Sequence, residues 1–280
     1  MSNSSALNRR QFAAAALGAL SFALARAAPA SEVVGCTPDG TGLAHAAQRL
    51  ALAYPDFIAS ANLQTLAWKD GFRMPVSLYA PGRSLADQIN NPDLAAQVSQ
   101  AYPRGHCGIP VNPASDPGRI RYAPFFARMY GGDRASVARN LEEIPWPSRA
   151  RNGFIEFSRV NGAADRLRLV AEELAQLPPH LHRFFDRPAG GFYWRPIAGT
   201  NRLSGHAYGI AVDINVNLSD YWRNELRGTA GEPENWRPTR PRNRIPFEIV
   251  DVFERQGFIW GGKWFHYDTM HFEYRPELLI

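Results

Sequence analysis

The 280-residue chain is short of three things: it has two lysines, Lys69 and Lys263, two cysteines, Cys36 and Cys107, and no run of about 18 apolar residues. The missing run excludes a helical membrane span. Two isolated cysteines exclude both a disulfide scaffold and a cysteine-based metal cluster, since there is no C-x-x-C and no third or fourth thiol. Scarce lysine leaves arginine to carry nearly all the positive charge. The formal net charge is +5, and Arg9, Arg10 and Arg26 sit in an N-terminal segment without a single acid. The rest of the chain is too nearly neutral for the clustered basic face that a nucleic-acid partner requires. No internal repeat is visible. With 45% hydrophobic and 20% charged residues, the composition is that of a globular chain long enough for one large domain or two small ones.

Residues 1–30 read as an address. A polar start leads to Arg9-Arg10-Gln11-Phe12, then an apolar run over 12–25 and small residues around Ala25-Arg26-Ala27 and Ala28-Pro29-Ala30. This resembles a twin-arginine export signal, with Asn8 and Ala13 as departures from the usual pattern. Val33-Val34-Gly35-Cys36 looks like a lipoprotein cleavage box, but Arg26, Pro29 and Glu32 separate it from the apolar run. Export implies a periplasmic location, where an oxidising compartment permits the one available pairing, Cys36 with Cys107.

Beyond the signal, an N-terminal extension over 31–150 reads as mixed and loop-rich. Helical spacing predicts a helix over 43–53, and alternation a strand over 62–68 before the turn Lys69-Asp70-Gly71. Within the loop-rich stretch 79–124 a helix is expected over 94–102. Another is expected from Ser136, as N-cap, to Ile144, stopping before Pro145-Trp146-Pro147, which marks a candidate boundary. The second region, 151–280, should carry a strand over 154–160, a helix over 163–177 ended by Pro178-Pro179, and a helix over 246–256 followed by Gly257. Short runs at 192–197, 210–215, 258–260 and 270–274 read as strands between glycine-rich turns. Helices mixed with closely spaced strands argue for an α+β fold on a small antiparallel sheet with flanking helices.

Two stretches carry chemistry. Ser204-Gly205-His206-Ala207-Tyr208-Gly209-Ile210-Ala211-Val212-Asp213-Ile214-Asn215 puts an imidazole in a glycine-flanked turn and a carboxylate inside an apolar strand. Burying Asp213 there is costly unless it meets a cation or several donors, and a metal ion is the simplest such partner. On one unbroken strand His206 and Asp213 would face opposite sides, but a break at Tyr208-Gly209 lets them converge. Spacing alone equally allows a hydrogen-bonded Asp beside a surface His.

The second stretch, 260–274, contains Asp268-Thr269-Met270-His271-Phe272-Glu273-Tyr274. A strand starting near Met270 puts His271 and Glu273 on one face, with Asp268 in the preceding turn. His271 then qualifies as a third ligand. Two His and one carboxylate make a hydrolytic zinc set with a position left for water, and Asp268 stands beside it as general base. Glu273 could orient His271 or form a surface salt bridge. His266 is a candidate for substrate contact or packing, and Trp260, Trp264 and Tyr267 for cleft or core.

The two motifs together resemble the zinc peptidoglycan peptidases of the M15 family. That group includes D-alanyl-D-alanine carboxypeptidases of the VanY type and L-alanyl-D-glutamate endopeptidases. The resemblance implies a hedgehog/DD-peptidase-like fold, Zn2+ held by His206, Asp213 and His271, Asp268 as catalytic carboxylate, and peptidoglycan stem peptides as substrate. It also implies an arginine upstream of the first ligand to stabilise the oxyanion, with Arg195 first and Arg202 second. Asp at position 268, and the context 194–203 and 242–246, look more like the endopeptidase branch. Segments 66–71 and 116–122 resemble the N-terminal extension of bacterial members. Two rivals share features of the pattern: a non-catalytic zinc-containing binding module, as in hedgehog signalling domains, and a cytoplasmic dipeptidase of the VanX type.

Overall fold

The computed structural model describes residues 42–80, 82–110, 112–147, 153–197, 200–227, 232, 236–239 and 243–280. Cys36, Arg242 and the export-signal residues lie outside them. The described residues all fall in one compact unit. Its first element, α1 (Leu43–Ala53), buries Ala46, Ala47 and Leu50. A three-stranded antiparallel meander follows: β1 (Ile58–Ala61), β2 (Thr65–Trp68) and β3 (Arg73–Pro75), with Leu66 opposite Met74. Two short helices come next, α2 (Leu85–Asn90) and α3 (Leu94–Gln97), each started by a side-chain cap, Ser84 and Asp93.

Helix α4 (Ala123–Tyr130) drives Phe125, Phe126, Met129 and Tyr130 inward. Helix α5 (Arg134–Ala138) is closed by a reciprocal cap between Asp133 and Ser136, and β4 (Leu141–Pro145) pairs antiparallel with β5 (Phe154–Ser158). Helix α6 (Ala163–Ala175) lies beside this pair. The third sheet holds the chemistry: β6 (Ala211–Asp213) and β7 (Phe258–Trp260) flank β8 (His271–Tyr274), both antiparallel, with α7 (Phe247–Arg255) leading into β7. Helices and small antiparallel sheets are thus mixed, as expected of an α+β fold.

One hydrophobic core runs through all of this, joining Leu50, Tyr54 and Phe125 to Leu167, Phe253 and Phe272. Segments on both sides of residue 150 therefore share a single buried interior. Cys107 is buried and disulfide-bonded. Among the described residues no helix is long and apolar enough to cross a membrane.

Three expectations need correction. The helix expected over 136–144 is two elements. Asp133, not Ser136, is the N-cap, because Ser136 closes the capping box from the third helical position, and 141–145 leaves the helix to pair with β5. The helix over 94–102 stops at Gln97. The Gln97 and Gln100 amides instead accept the backbone N–H groups of Tyr122 and Asp116, at 2.9 and 2.7 Å. The run 192–197 is not a strand: Phe192 and Tyr193 donate to Glu156 and His206 carbonyls, on two different elements, and Pro196 has no N–H to continue a ladder.

Candidate metal centre

His206 is carried on a single 3-10 turn, Gly205–Tyr208, capped by the Ser204 hydroxyl. The turn is released into β6 by Gly209, whose φ of +66° is left-handed backbone that glycine adopts without a Cβ penalty. Gly205 is required for a different reason: a Cβ there would sit 2.7 Å from Glu273 Oε2. These two glycines let the turn fold flat against β8, where Asp213 lies opposite His271 in register. The predicted break in the strand is therefore the device that brings His206 and Asp213 to one point.

The three side chains converge closely. Asp213 Oδ1 is 3.2 Å from His206 Nε2 and 3.1 Å from His271 Nδ1, and the two rings are 5.2 Å apart. One ligand atom from each residue falls within 4.8 Å of the others. The outward ring nitrogens are also engaged. His206 Nδ1 donates to the Gly191 carbonyl at 2.7 Å, and His271 Nε2 donates to Glu273 Oε2 at 3.1 Å. With the outer nitrogens held this way, His206 Nε2 and His271 Nδ1 are the atoms that face the shared point, where a metal ion would take the place of the proton held against Asp213. The donor set therefore fits a divalent cation of the zinc type.

The electrostatics agree with that fit. Burial alone would push the Asp213 carboxyl up, but His206 and His271 hold it well below the usual carboxylate range. Burial also opposes charge on His271, yet its hydrogen bonds to Asp213 and Glu273 push it up to about 10. Asp268 goes the other way: burial, then the negative charge of Asp213, raises it to about 6. Its Oδ1 is out of contact with solvent and has no hydrogen-bond partner. A carboxylate raised in this way beside a three-ligand cluster is well placed to take and return a proton.

These residues open on a cavity of about 280 Å³. Its walls include both arginines expected from sequence, Arg195 and Arg202, and three not expected: Arg119, Arg121 and Arg223. Arg202 Nε is buried without a hydrogen-bond partner. Burial, with Arg121, Arg119 and Arg223 adding repulsion, draws that guanidinium down to about 10. Arg195 lies with its guanidinium 5.9 Å from the Tyr193 ring.

The remaining candidates divide. His266 is buried at the cavity wall between two carboxylates, Asp116 at 2.5 Å and Glu232 at 2.9 Å, so it is neither solvated nor a ligand of the cluster. Trp264 lines the cavity, 5.6 Å from the His271 ring, whereas Trp260 is core, with its indole N–H on the Thr269 carbonyl. The Tyr267 hydroxyl donates to Glu225. Glu273 is fully buried, which removes the surface salt-bridge reading. Burial would raise its carboxyl, but Arg121 above all, then His271 and Arg275, hold it well below the usual range. Sequence reading missed Asp116, Arg119 and Arg121. The stretch 116–122 stood out only by its resemblance to the family's N-terminal extension, and its charges carry no chemistry until they are placed next to 264–275.

Residues 198–274 match the M15 peptidase family model described as D-alanyl-D-alanine carboxypeptidase. The matched stretch contains His206, Asp213, Asp268, His271 and Glu273, and excludes Arg119, Arg121 and Arg195. No curated protein and no solved structure matches the chain significantly. Residues 198–274, about a quarter of the chain, are thus similar to the M15 peptidase family, and the motif and the converged ligand set both lie within that stretch.

Proposed function

We propose that the chain is an exported, zinc-dependent peptidase that hydrolyses a peptide bond in peptidoglycan stem peptides. The observation that carries this reading is the meeting of His206 Nε2, Asp213 Oδ1 and His271 Nδ1 at one point, next to the raised carboxylate of Asp268. Zn2+ held by those three atoms supplies a Lewis acid for the attacking water and the scissile carbonyl.

The chain's own residues do the rest. Asp268, ionised at neutral pH but with an affinity for protons above that of an ordinary carboxylate, removes a proton from the water and returns one to the departing amine. Arg202 serves the developing oxyanion. Its buried, unpartnered Nε favours it over Arg195, and such a donor contributes about two to three orders of magnitude in turnover. The surplus of guanidinium groups around the cavity suits a substrate with a carboxylate near the scissile bond. Stem peptides offer one at the D-glutamyl residue and another at the terminal D-alanine. Export rests on the Arg9-Arg10 segment, which also accounts for a disulfide at Cys107.

Purified muropeptides incubated with the protein and analysed by mass spectrometry test the reading. Cleavage is expected that stops with a chelator and returns with zinc. Product masses separate loss of terminal D-Ala from a cut between L-Ala and D-Glu. Zinc bound without any cleavage would instead identify a binding module.

A further inference from the structure

The segment 115–121 lies far upstream of the family-matched stretch, yet it runs as a strap along 264–275. Phe265 N–H donates to the Ser115 carbonyl at 2.9 Å, His266 N–H to Asp116 Oδ1 at 3.0 Å, and the Trp264 indole to the Pro117 carbonyl at 2.6 Å. Arg275 donates to the Gly118 carbonyl at 2.9 Å. At the end of the strap, Arg121 Nε donates to both Glu273 oxygens, at 2.8 and 3.0 Å, and its Nη2 meets Glu273 as well. Glu273 is the acceptor for His271 Nε2. Arg121 is 9% exposed along its side chain and Glu273 not at all, so this is a buried, two-point pair and not a surface contact.

We infer that Arg121 is a positioning residue for the metal site: it fixes the Glu273 carboxylate, which fixes the ring of His271, so the upstream strap is a working part of the peptidase centre. Without Arg121, Glu273 would keep Arg275, which is 3.3 Å from Oε1 and shared with Glu277. It would lose the grip on Oε2, the oxygen that faces His271. A ligand whose outer hydrogen bond is loosened binds metal more weakly, typically by about 10- to 100-fold. The inference rests on the ligand assignment above, and the experiment separates the two.

Zn2+ affinity is measured on the full chain by competition with a chromogenic chelator, alongside circular dichroism of the metal-free protein. Arg121→Lys keeps the charge but loses the two-point geometry. The pair Arg121→Met with Glu273→Gln removes both buried charges together, so that neither is left unpaired. Both are expected to fold as the wild type does and to bind zinc about 10- to 100-fold more weakly, the pair more so than the lysine variant. Added zinc should raise the turnover of both variants in step with occupancy of the site, a recovery that a general loss of folded protein would not produce. Wild-type zinc affinity in the lysine variant and in the pair overturns the inference. If the pair fails to fold, wild-type affinity in the lysine variant alone overturns it. A wild-type protein that binds no zinc overturns the ligand assignment instead.

Discussion

The two walls of the cavity are built on opposite principles. On the ligand wall each imidazole, and the carboxylate behind it, has its partner: His206 on the Gly191 carbonyl, His271 on Glu273, Glu273 on Arg121 and Arg275. On the facing wall Arg119, Arg195, Arg202 and Arg223 crowd together, and among the described residues the carboxylates that line the cavity are those of Asp213 and Asp268. The ligand wall holds one geometry; the facing wall gathers positive charge, and on it Arg202 Nε is buried without a hydrogen-bond partner. The first suits a resident cation and the second a substrate anion.

That contrast gives an order of expected effects. Removing a ligand strikes hardest: His206→Ala or His271→Ala should abolish stoichiometric zinc binding and reduce hydrolysis to background, checked by metal analysis and muropeptide turnover. Full activity with an empty site would erase the distinction between the walls. Next, Asp268→Asn should keep the metal and lose about 10²- to 10⁴-fold in kcat, because the amide cannot take the proton. Arg202→Ala should keep the metal and lose about 10²- to 10³-fold in kcat, with Arg195→Ala losing less, as read by steady-state kinetics.

The smallest effect concerns pH and the metal-free protein. The His271 pKa is raised from its usual value to about 10, so its stabilising contribution is complete below pH 6.5 and fades as pH rises toward 10. The Asp268 carboxyl is raised to about 6, so the protonated form favours the fold and that contribution disappears as pH rises from about 4 through 6. Asp213, held low, stays ionised throughout this range and adds no slope. Both active contributions have the same sign. With a chelator present, Tm should fall by several degrees between pH 5 and pH 8, and added zinc should remove most of the difference because it takes the place of the proton on His271 and weakens the hold of Asp268 on its own. An equally steep fall with zinc bound would place the titrating groups elsewhere.

Much of the ligand wall was legible in the sequence because its information is local. His206 and Asp213 share one turn and strand, and Asp268, His271 and Glu273 share another, so spacing and the period of two already sort them onto faces. Strands β6, β7 and β8 appear within a residue or two of their expected bounds for the same reason. The arginine wall was only half legible. Arg195 and Arg202 lie close upstream of His206, but Arg119 and Arg121 reach the site through long-range packing that no local pattern encodes. The errors were also matters of partner. The segment 141–145 has residues compatible with a helix and becomes a strand only because β5 is there to pair with it, and 192–197 has strand-like residues but no continuous edge to join.

The strap has a consequence in time as well as in space. Arg121 belongs to the first half of the chain and Glu273 to its last eight residues, so the contact between them closes a loop of about 150 residues. A contact of such length forms late, after the local turns and helices are in place. The candidate metal centre is therefore complete only once the segments around Arg121 and Glu273 have met, and metal affinity would report on that contact.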